Sequence, residues 1–361
     1  MKNKFLTISL LFTIIISSKI TAQNNVILGE KVKLNSEILN DTREIWVSLP
    51  SSYNDTIYAP KKYPVCYFFD GDTHFKNFSA INDWLTRNVY ASTPEIIMVG
   101  ILQKDRSNEL TPSHMKTPEN WKRANFSTSG GNKNFMSFIE KELKPFINNN
   151  YRTTNYSILS GHSFGGLATV NCFVNTPQYF NAYIAIDPSM WWNNENILKN
   201  MSDSWVTKAH QNKRIFIAKA TDPGSGEAHH KAILKLFDKL NAIPEPANFS
   251  FNYKIYDGED HGSVVIPAEY DGLRYIFKDY QLPVKAAMKN PDLIDNHISK
   301  ISKQLGYKVI PDEKIIHQLA LVCKKQGLIK QYKALLQKNT KYHTNSNHAQ
   351  EAYKDAVENN Y

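Results

Sequence analysis

Three residue types in the order Ser, acid, His can make a hydrolase, and this chain carries them in that order. A serine hydroxyl is a poor nucleophile at neutral pH. It needs a base within hydrogen-bond reach, and the base needs a carboxylate to orient it. The serine is Ser163, within Gly161-His162-Ser163-Phe164-Gly165-Gly166. The pentapeptide G-x-S-x-G works where a strand turns sharply into a helix, because the glycines let strand and helix close up and the hydroxyl projects at the helix N-terminus. Free backbone N–H groups there can meet developing negative charge. Chance supplies such a pentapeptide about once in ten chains of this length, so its surroundings must carry the argument.

The base is assigned to His261, in Asp260-His261-Gly262 after a late strand pattern. His162 lies inside the turn, with its side chain expected to point away from the serine. His229 and His230 begin a helical pattern and read as first-turn or solvent-facing residues. The orienting acid is assigned to Asp222, directly after the run 214–220, with Glu227 as the alternative. Glu259 and Asp260 would have to reach His261 from its own loop. The oxyanion is expected to meet the backbone N–H of Phe164, with a second donor at Gly71 or Asp72, where the apolar run 63–69 ends abruptly in Asp70-Gly71-Asp72. A metal centre is not expected. Asp222, His229 and His230 could supply ligands, but adjacent histidines on a helix do not face one point, and neither H-E-x-x-H nor C-x-x-C occurs. No cofactor is called for.

These groups need a scaffold. Apolar runs at 63–69, 95–102, 183–186 and 214–218 read as buried strands, and 249–255 alternates like a strand. Helical patterns fall at 76–90, 135–150, 164–175, 228–241 and from about 264–268 to 280. Two extended stretches, 26–34 and 44–49, read as edge strands of an antiparallel entry. Strands alternating with helices imply a mostly parallel α/β sheet, whose site lies at the carboxyl ends of its strands. Asp70–Asp72, Ser163, Asp222–Glu227 and His261 all follow such ends. The irregular stretch 104–132 is long enough to be a lid or substrate loop.

The outer parts of the chain read differently. Lys2 and Lys4 precede the apolar run Phe5–Ile16, and Thr21-Ala22-Gln23 follow, the pattern of a signal peptide over 1–23. The run is shorter than the roughly 20 residues a spanning helix needs, so cleavage, export to the periplasm or medium, and no stable membrane insertion afterwards are expected. Residues 24–282 form the main domain. From 283 to 361 short amphipathic helices parted by Gly306, Pro311 and Gly327 suggest a helical appendage, loosely like a degenerate tetratricopeptide unit. Cys66, Cys172 and Cys323 form no spaced framework and read as buried thiols. The formal charge of +9 is spread without a basic block, and removing the leader takes away Lys2, Lys4 and Lys19, so nucleic acid is not a partner.

Taken together, the chain resembles the group of esterases that includes esterase D and the enterobactin-type siderophore esterases, over roughly 26–282. Besides the serine turn, the resemblance rests on Phe69-Asp70-Gly71-Asp72, on Lys104-Asp105-Arg106 with Leu110-Thr111-Pro112, on Asp187-Pro188-Ser189-Met190-Trp191-Trp192, and on Asp260-His261-Gly262-Ser263. It implies an α/β-hydrolase fold and metal-free ester hydrolysis, with Ser163 as nucleophile and His261 as base. Many relatives have serine where this chain has Asp187, and some siderophore esterases lack a well-placed acid. The substrate is expected to be a small-molecule or carbohydrate ester. Siderophore esters, acylated or feruloylated polysaccharides and simple acyl esters all fit, and Arg106, Trp191, Trp192 and His74 are the candidate substrate contacts. The competing class is a non-catalytic binder that keeps an esterase-like pocket, which predicts the decay of Ser163 or His261. Both are present.

Overall fold

The computed structural model describes residues 26–118, 125–202, 204–222, 224, 226–244 and 249–359. The leader expected over 1–23 lies outside them. No described helix is long and apolar enough to cross a membrane.

Eight strands form one sheet: β1 (Glu30–Ser36), β2 (Asp41–Ser48), β3 (Tyr63–Phe68), β4 (Ile97–Ile101), β5 (Thr153–His162), β6 (Ala182–Ile186), β7 (Arg214–Ala220) and β8 (Ser250–Tyr256). Their spatial order is β1-β2-β4-β3-β5-β6-β7-β8. β1, β2 and β4 pair antiparallel, and every pair from β4 to β8 is parallel. β1 and β8 are the edges, so β2, expected at an edge, lies one strand inside.

Successive side chains of a strand point to opposite faces, and both faces here are covered. Val65, Tyr67, Phe69, Leu159, Tyr183 and Ile217 share one apolar cluster. It includes Leu167, Ala168 and Val170 of α5 (Phe164–Asn175) and Ile233 and Leu236 of α7 (Glu227–Asn241). The intervening residues Cys66, Phe68, Ile158, Ile184 and Phe216 face the other cluster, with Phe75 and Phe78 of α1 (Gly71–Leu85) and Leu273 and Ile276 of α8 (Val265–Ile276). Continuous apolar runs mark these central strands because neither face meets water.

The remaining elements of this part are α2 (Arg106–Leu110), α3 (Asn132–Phe138) running through a π turn into α4 (Lys144–Asn150), and α6 (Trp192–Asn200). The loop expected at 104–132 therefore contains a helix, begun by the Asp105 carboxylate accepting from the Asn108 N–H. Helix α1 starts five residues before the expected position. Asp70 adopts a left-handed conformation (φ 53°) and turns the chain from β3 straight into the helix. Gly71 then lies against the Gly100 backbone, where a Cβ would come within 2.6 Å.

The C-terminal helices are α9 (Val284–Lys289), α10 (Leu293–Leu305), α11 (Glu313–Lys325), α12 (Ile329–Tyr342) and α13 (Asn347–Glu358). They share a cluster built on Ile294, Ile316, Leu319, Leu335 and Leu336. Ile301 and Leu305 of α10 reach the second sheet cluster instead. Cys66, Cys172 and Cys323 are buried free thiols.

Candidate active site

The chain order reverses at β3, whose neighbours are β4 and β5, and such a switch point opens a crevice at the carboxyl edge. Phe68 of β3 pairs with Ser160 of β5, so the loop after β3 and the turn after β5 leave the sheet side by side. Ser163 is at the apex of that turn with φ 59° and ψ −114°. Its N–H donates to the Ile186 carbonyl at 3.0 Å, and its carbonyl accepts from Leu167 and Ser189. The turn can be this tight only without side chains. A Cβ on Gly161 would sit 2.4 Å from the Gly165 carbonyl oxygen, and one on Gly166 would sit 2.9 Å from the Ile186 carbonyl oxygen.

Phe164, Gly71 and Asp72 occupy the first positions of α5 and α1, where a helix supplies no acceptor for its N–H groups. The N-termini of α1 and α5 thus follow neighbouring strands, β3 and β5. Arg106 holds them in register. Its guanidinium donates to both Asp70 carboxylate oxygens at 2.7 and 3.0 Å and to the His162 carbonyl at 3.2 Å. Expected as a substrate contact, Arg106 is committed to the scaffold of the two loops.

The carboxylate beside His261 is Asp187, not Asp222 or Glu227. Asp187 follows β6 with φ 40° and is fully buried. Its Oδ2 lies 2.6 Å from His261 Nδ1 and 2.9 Å from His229 Nε2, and its Oδ1 accepts from the Ala220 N–H at 3.0 Å. Burial pushes the Asp187 carboxyl up, but the hydrogen bonds from His229, His261 and Ala220 outweigh it and hold the group below the usual carboxylate range.

Asp222 is on the expected loop, whose backbone N–H donates to the Glu259 carbonyl just ahead of His261. Its side chain turns outward and accepts from the Gly224 N–H at 2.8 Å. That local Asx-type bond competes with any longer reach. Glu227 is exposed at the start of α7 and pairs with Lys231 on its own helix.

His229, expected at a helix surface, is instead buried against Asp187, because the first turn of α7 lies over the ends of β6 and β7. Its neighbour His230 stays outside, between Lys219 Nζ and the Asp222 carbonyl, 2.8 Å from each. Both were legible only as residue types. The stronger signal was Asp187, a carboxylate directly after a buried strand. Ser189 was also missed; its hydroxyl is 3.4 Å from that of Ser163.

The donor atoms of Asp187, His229 and His261 lie within 4.8 Å of one another, close enough to surround a cation. The contacts of 2.6 and 2.9 Å are those of ring N–H groups on a carboxylate, and we assign hydrogen bonds.

Behind His261 the His162 ring packs at 4.4 Å between centroids, followed by His74 at 5.9 Å from His162. Burial, with His261 and His74 beside it, pushes His162 down to about 3, so it is neutral at any working pH. His74 is also buried, near Glu269, and so is not the substrate contact expected of it. Trp192 is buried as well. Its Nε1 donates to the Ser113 carbonyl at 3.0 Å, and its ring packs on Phe126 and Phe164 at 4.9 and 5.0 Å. Trp191 is half-buried, with its ring centroid 6.2 Å from that of Phe164. The two tryptophans lead into a left-handed turn at Asn193, Asn194 and Glu195, fastened by Asn193 to Ser113 and by Glu195 to Lys235.

Residues 36–261 match the family model described as "Putative esterase". The ferri-bacillibactin esterase BesA of Bacillus subtilis is 29% identical over 263 residues, covering 68% of this chain and 88% of that protein. The siderophore triacetylfusarinine C esterase of Aspergillus fumigatus is 26% identical over 270 residues, covering 65% and 89%. Among solved structures, an IroE-like serine hydrolase from Shewanella oneidensis superposes with a TM-score of 0.76 at 28% identity, over 87% of this chain and 99% of that one. With the α/β-hydrolase sheet and the serine turn, these matches place the chain in the putative esterase family, as a carboxylic ester hydrolase.

Proposed function

We propose that this chain is an exported serine esterase that opens siderophore esters through an acyl-enzyme, with Ser163 as nucleophile, His261 as base and Asp187 as the orienting acid. The observation that carries the reading is the 2.6 Å contact between His261 Nδ1 and Asp187 Oδ2, made across the ends of β6 and β8 on one side of the Ser163 strand. An ionised carboxylate only accepts, so Nδ1 carries the proton and Nε2 keeps its lone pair for the Ser163 hydroxyl.

In the first half-reaction His261 Nε2 takes the Ser163 proton as Oγ bonds to the ester carbonyl carbon. The oxyanion forms against the N–H of Phe164 and that of Gly71 or Asp72. As the C–O bond breaks, the imidazolium returns its proton to the leaving alkoxide. Water, deprotonated by the same nitrogen, then releases the acid and frees Ser163. Asp187 stabilises the imidazolium without taking its proton. Each oxyanion donor is worth about 10²–10³ in rate.

The siderophore reading is supported by the relatives named above and by the surface beside the serine. Phe164 and half-buried Trp191, 6.2 Å apart between ring centroids, would suit a flat aromatic chelate. Export is supported by the leader pattern at 1–23.

The test compares kcat/KM on a ferric catecholate trilactone, a feruloyl ester, acetylated xylan and short p-nitrophenyl esters, alongside labelling by a fluorophosphonate probe. The trilactone should lead, and Ser163→Ala should abolish both turnover and labelling. Preference for a polysaccharide ester would overturn the substrate, and undiminished labelling of Ser163→Ala would overturn the mechanism.

A further inference from the structure

The Asp187 carboxylate is approached from three sides. His261 comes from the loop after β8, His229 from the first turn of α7, and the Ala220 N–H from the end of β7. Two of the donors share one oxygen. His261 Nδ1 and His229 Nε2 both point at Oδ2, with the two rings nearly perpendicular at 88° and 5.1 Å between centroids. A triad needs one imidazole on its acid, and this site has two.

We infer that His229 is a positioning residue that holds the Asp187 carboxylate opposite His261 and tempers the pull of that carboxylate on the catalytic imidazole. The inference rests on the triad reading above. His229 itself is buried, and its ring bonds to the Asp187 carboxylate. It acts in two ways. Together with the Ala220 N–H it fixes the plane of the carboxylate, so that Oδ2 stays on His261 when the ring becomes charged. By donating to Oδ2 it also takes up part of the negative charge available to the imidazolium. With that donor removed, Asp187 would hold the charged form of His261 more tightly, and a higher pH would be needed to free the base.

The other groups around His261 leave this role to His229. His162 packs on its opposite side as a neutral, buried ring, with Arg106 beyond it on the carbonyl of that residue. Asp260, in the same loop as His261, is exposed and accepts from the Gly262 and Ser263 N–H groups. Lys219, near the end of β7, and His230, in the first turn of α7, bond to each other. Among the described residues, His229 and His261 are the two side chains that hydrogen-bond to the Asp187 carboxylate.

The experiment is a pH–rate profile of kcat/KM on a short p-nitrophenyl ester for wild type, His229→Phe and His229→Gln. Phe keeps the ring volume without a donor, and Gln restores a neutral N–H. For His229→Phe we expect kcat to fall about tenfold, KM to stay within about twofold, and the acidic limb to move to higher pH by about half a unit. His229→Gln should bring the limb back towards wild type. An unmoved limb in His229→Phe, or a loss that Gln does not repair, reduces His229 to packing and overturns the inference.

Should His229→Phe fail to fold, the wild-type protein labelled with ¹⁵N-histidine still decides. Two imidazole protons held by a carboxylate should resonate downfield, one on Nδ1 and one on Nε2, and absence of the Nε2 proton overturns the inference. Ser163→Ala run in parallel separates the two levels. Residual turnover there fails the triad itself, whereas an inactive Ser163→Ala with an unmoved His229→Phe profile fails this inference alone.

Discussion

Asp187 and His261 lie 74 residues apart in the chain and meet at 2.6 Å, across the ends of β6 and β8 with β7 between them. The carboxylate beside His261 thus follows a strand one earlier than the one that precedes the expected Asp222. Asp187→Asn should therefore lower kcat by about 10⁴, because the amide favours the wrong imidazole tautomer. Asp222→Asn should stay within about twofold of wild type, as an exposed turn residue. Steady-state kinetics on one ester decide between them, and an equal loss in Asp222→Asn would return the acid to β7.

Arg106 makes a prediction that separates scaffold from substrate binding. Its paired contacts to Asp70 need the planar guanidinium fork, which lysine lacks. Arg106→Lys should lower kcat by about tenfold or more, through a displaced oxyanion donor, with little change in KM. A rise in KM at constant kcat would instead mark Arg106 as a direct substrate contact.

Gly161→Ala tests the tight turn. The added methyl would lie 2.4 Å from the Gly165 carbonyl oxygen, and the atoms it meets are backbone and cannot turn aside. We expect a loss of about 1–3 kcal/mol of stability, read by denaturant unfolding, together with loss of activity as Ser163 shifts. An unchanged midpoint would show that the turn is looser than this contact requires.

Glu269 carries a pH prediction. Burial pushes its carboxyl well above the usual range, one of its oxygens is buried without a hydrogen bond, and His74 Nδ1 is 3.6 Å away. A folded-state pKa above the unfolded value means that the stabilising contribution is whole below the ordinary carboxylate range and is lost as pH rises through the folded value. Glu269→Gln removes that loss. Its Tm should match wild type near pH 4.5 and exceed it increasingly towards pH 8; the opposite trend would mean that Glu269 is ionised and paired in the fold.

Most of the scaffold was legible because it repeats simple patterns. Strands such as Tyr63–Phe68 and Ala182–Ile186 are unbroken apolar runs closed by turn residues, and Gly161, Gly165 and Gly166 mark a turn that few other residues permit. Ser163 and His261 stood out because each follows a strand in the required order. The acid did not, because a carboxylate after β6 and another after β7 look alike in one dimension. What separates them is tertiary: Asp222 satisfies the Gly224 N–H next to it, whereas Asp187 is shut in with two imidazoles. His229 was misread for the same reason, since a helix's first turn says nothing of what the helix lies across. Arg106, Trp192 and His74, expected to touch substrate, pack around the His162–Phe164 turn with their side chains taken up by the protein itself.

Three consecutive sheet positions, β3, β5 and β6, each hand the chain to a non-glycine residue with positive φ: Asp70 at 53°, Ser163 at 59° and Asp187 at 40°. Such residues cost about 1–3 kcal/mol each, and glycine would relieve much of it. Heat resistance and turnover therefore pull this protein in opposite directions at the same three codons. A library selected only for thermal survival should drift towards glycine there, arriving at a sturdier protein that has forgotten its chemistry.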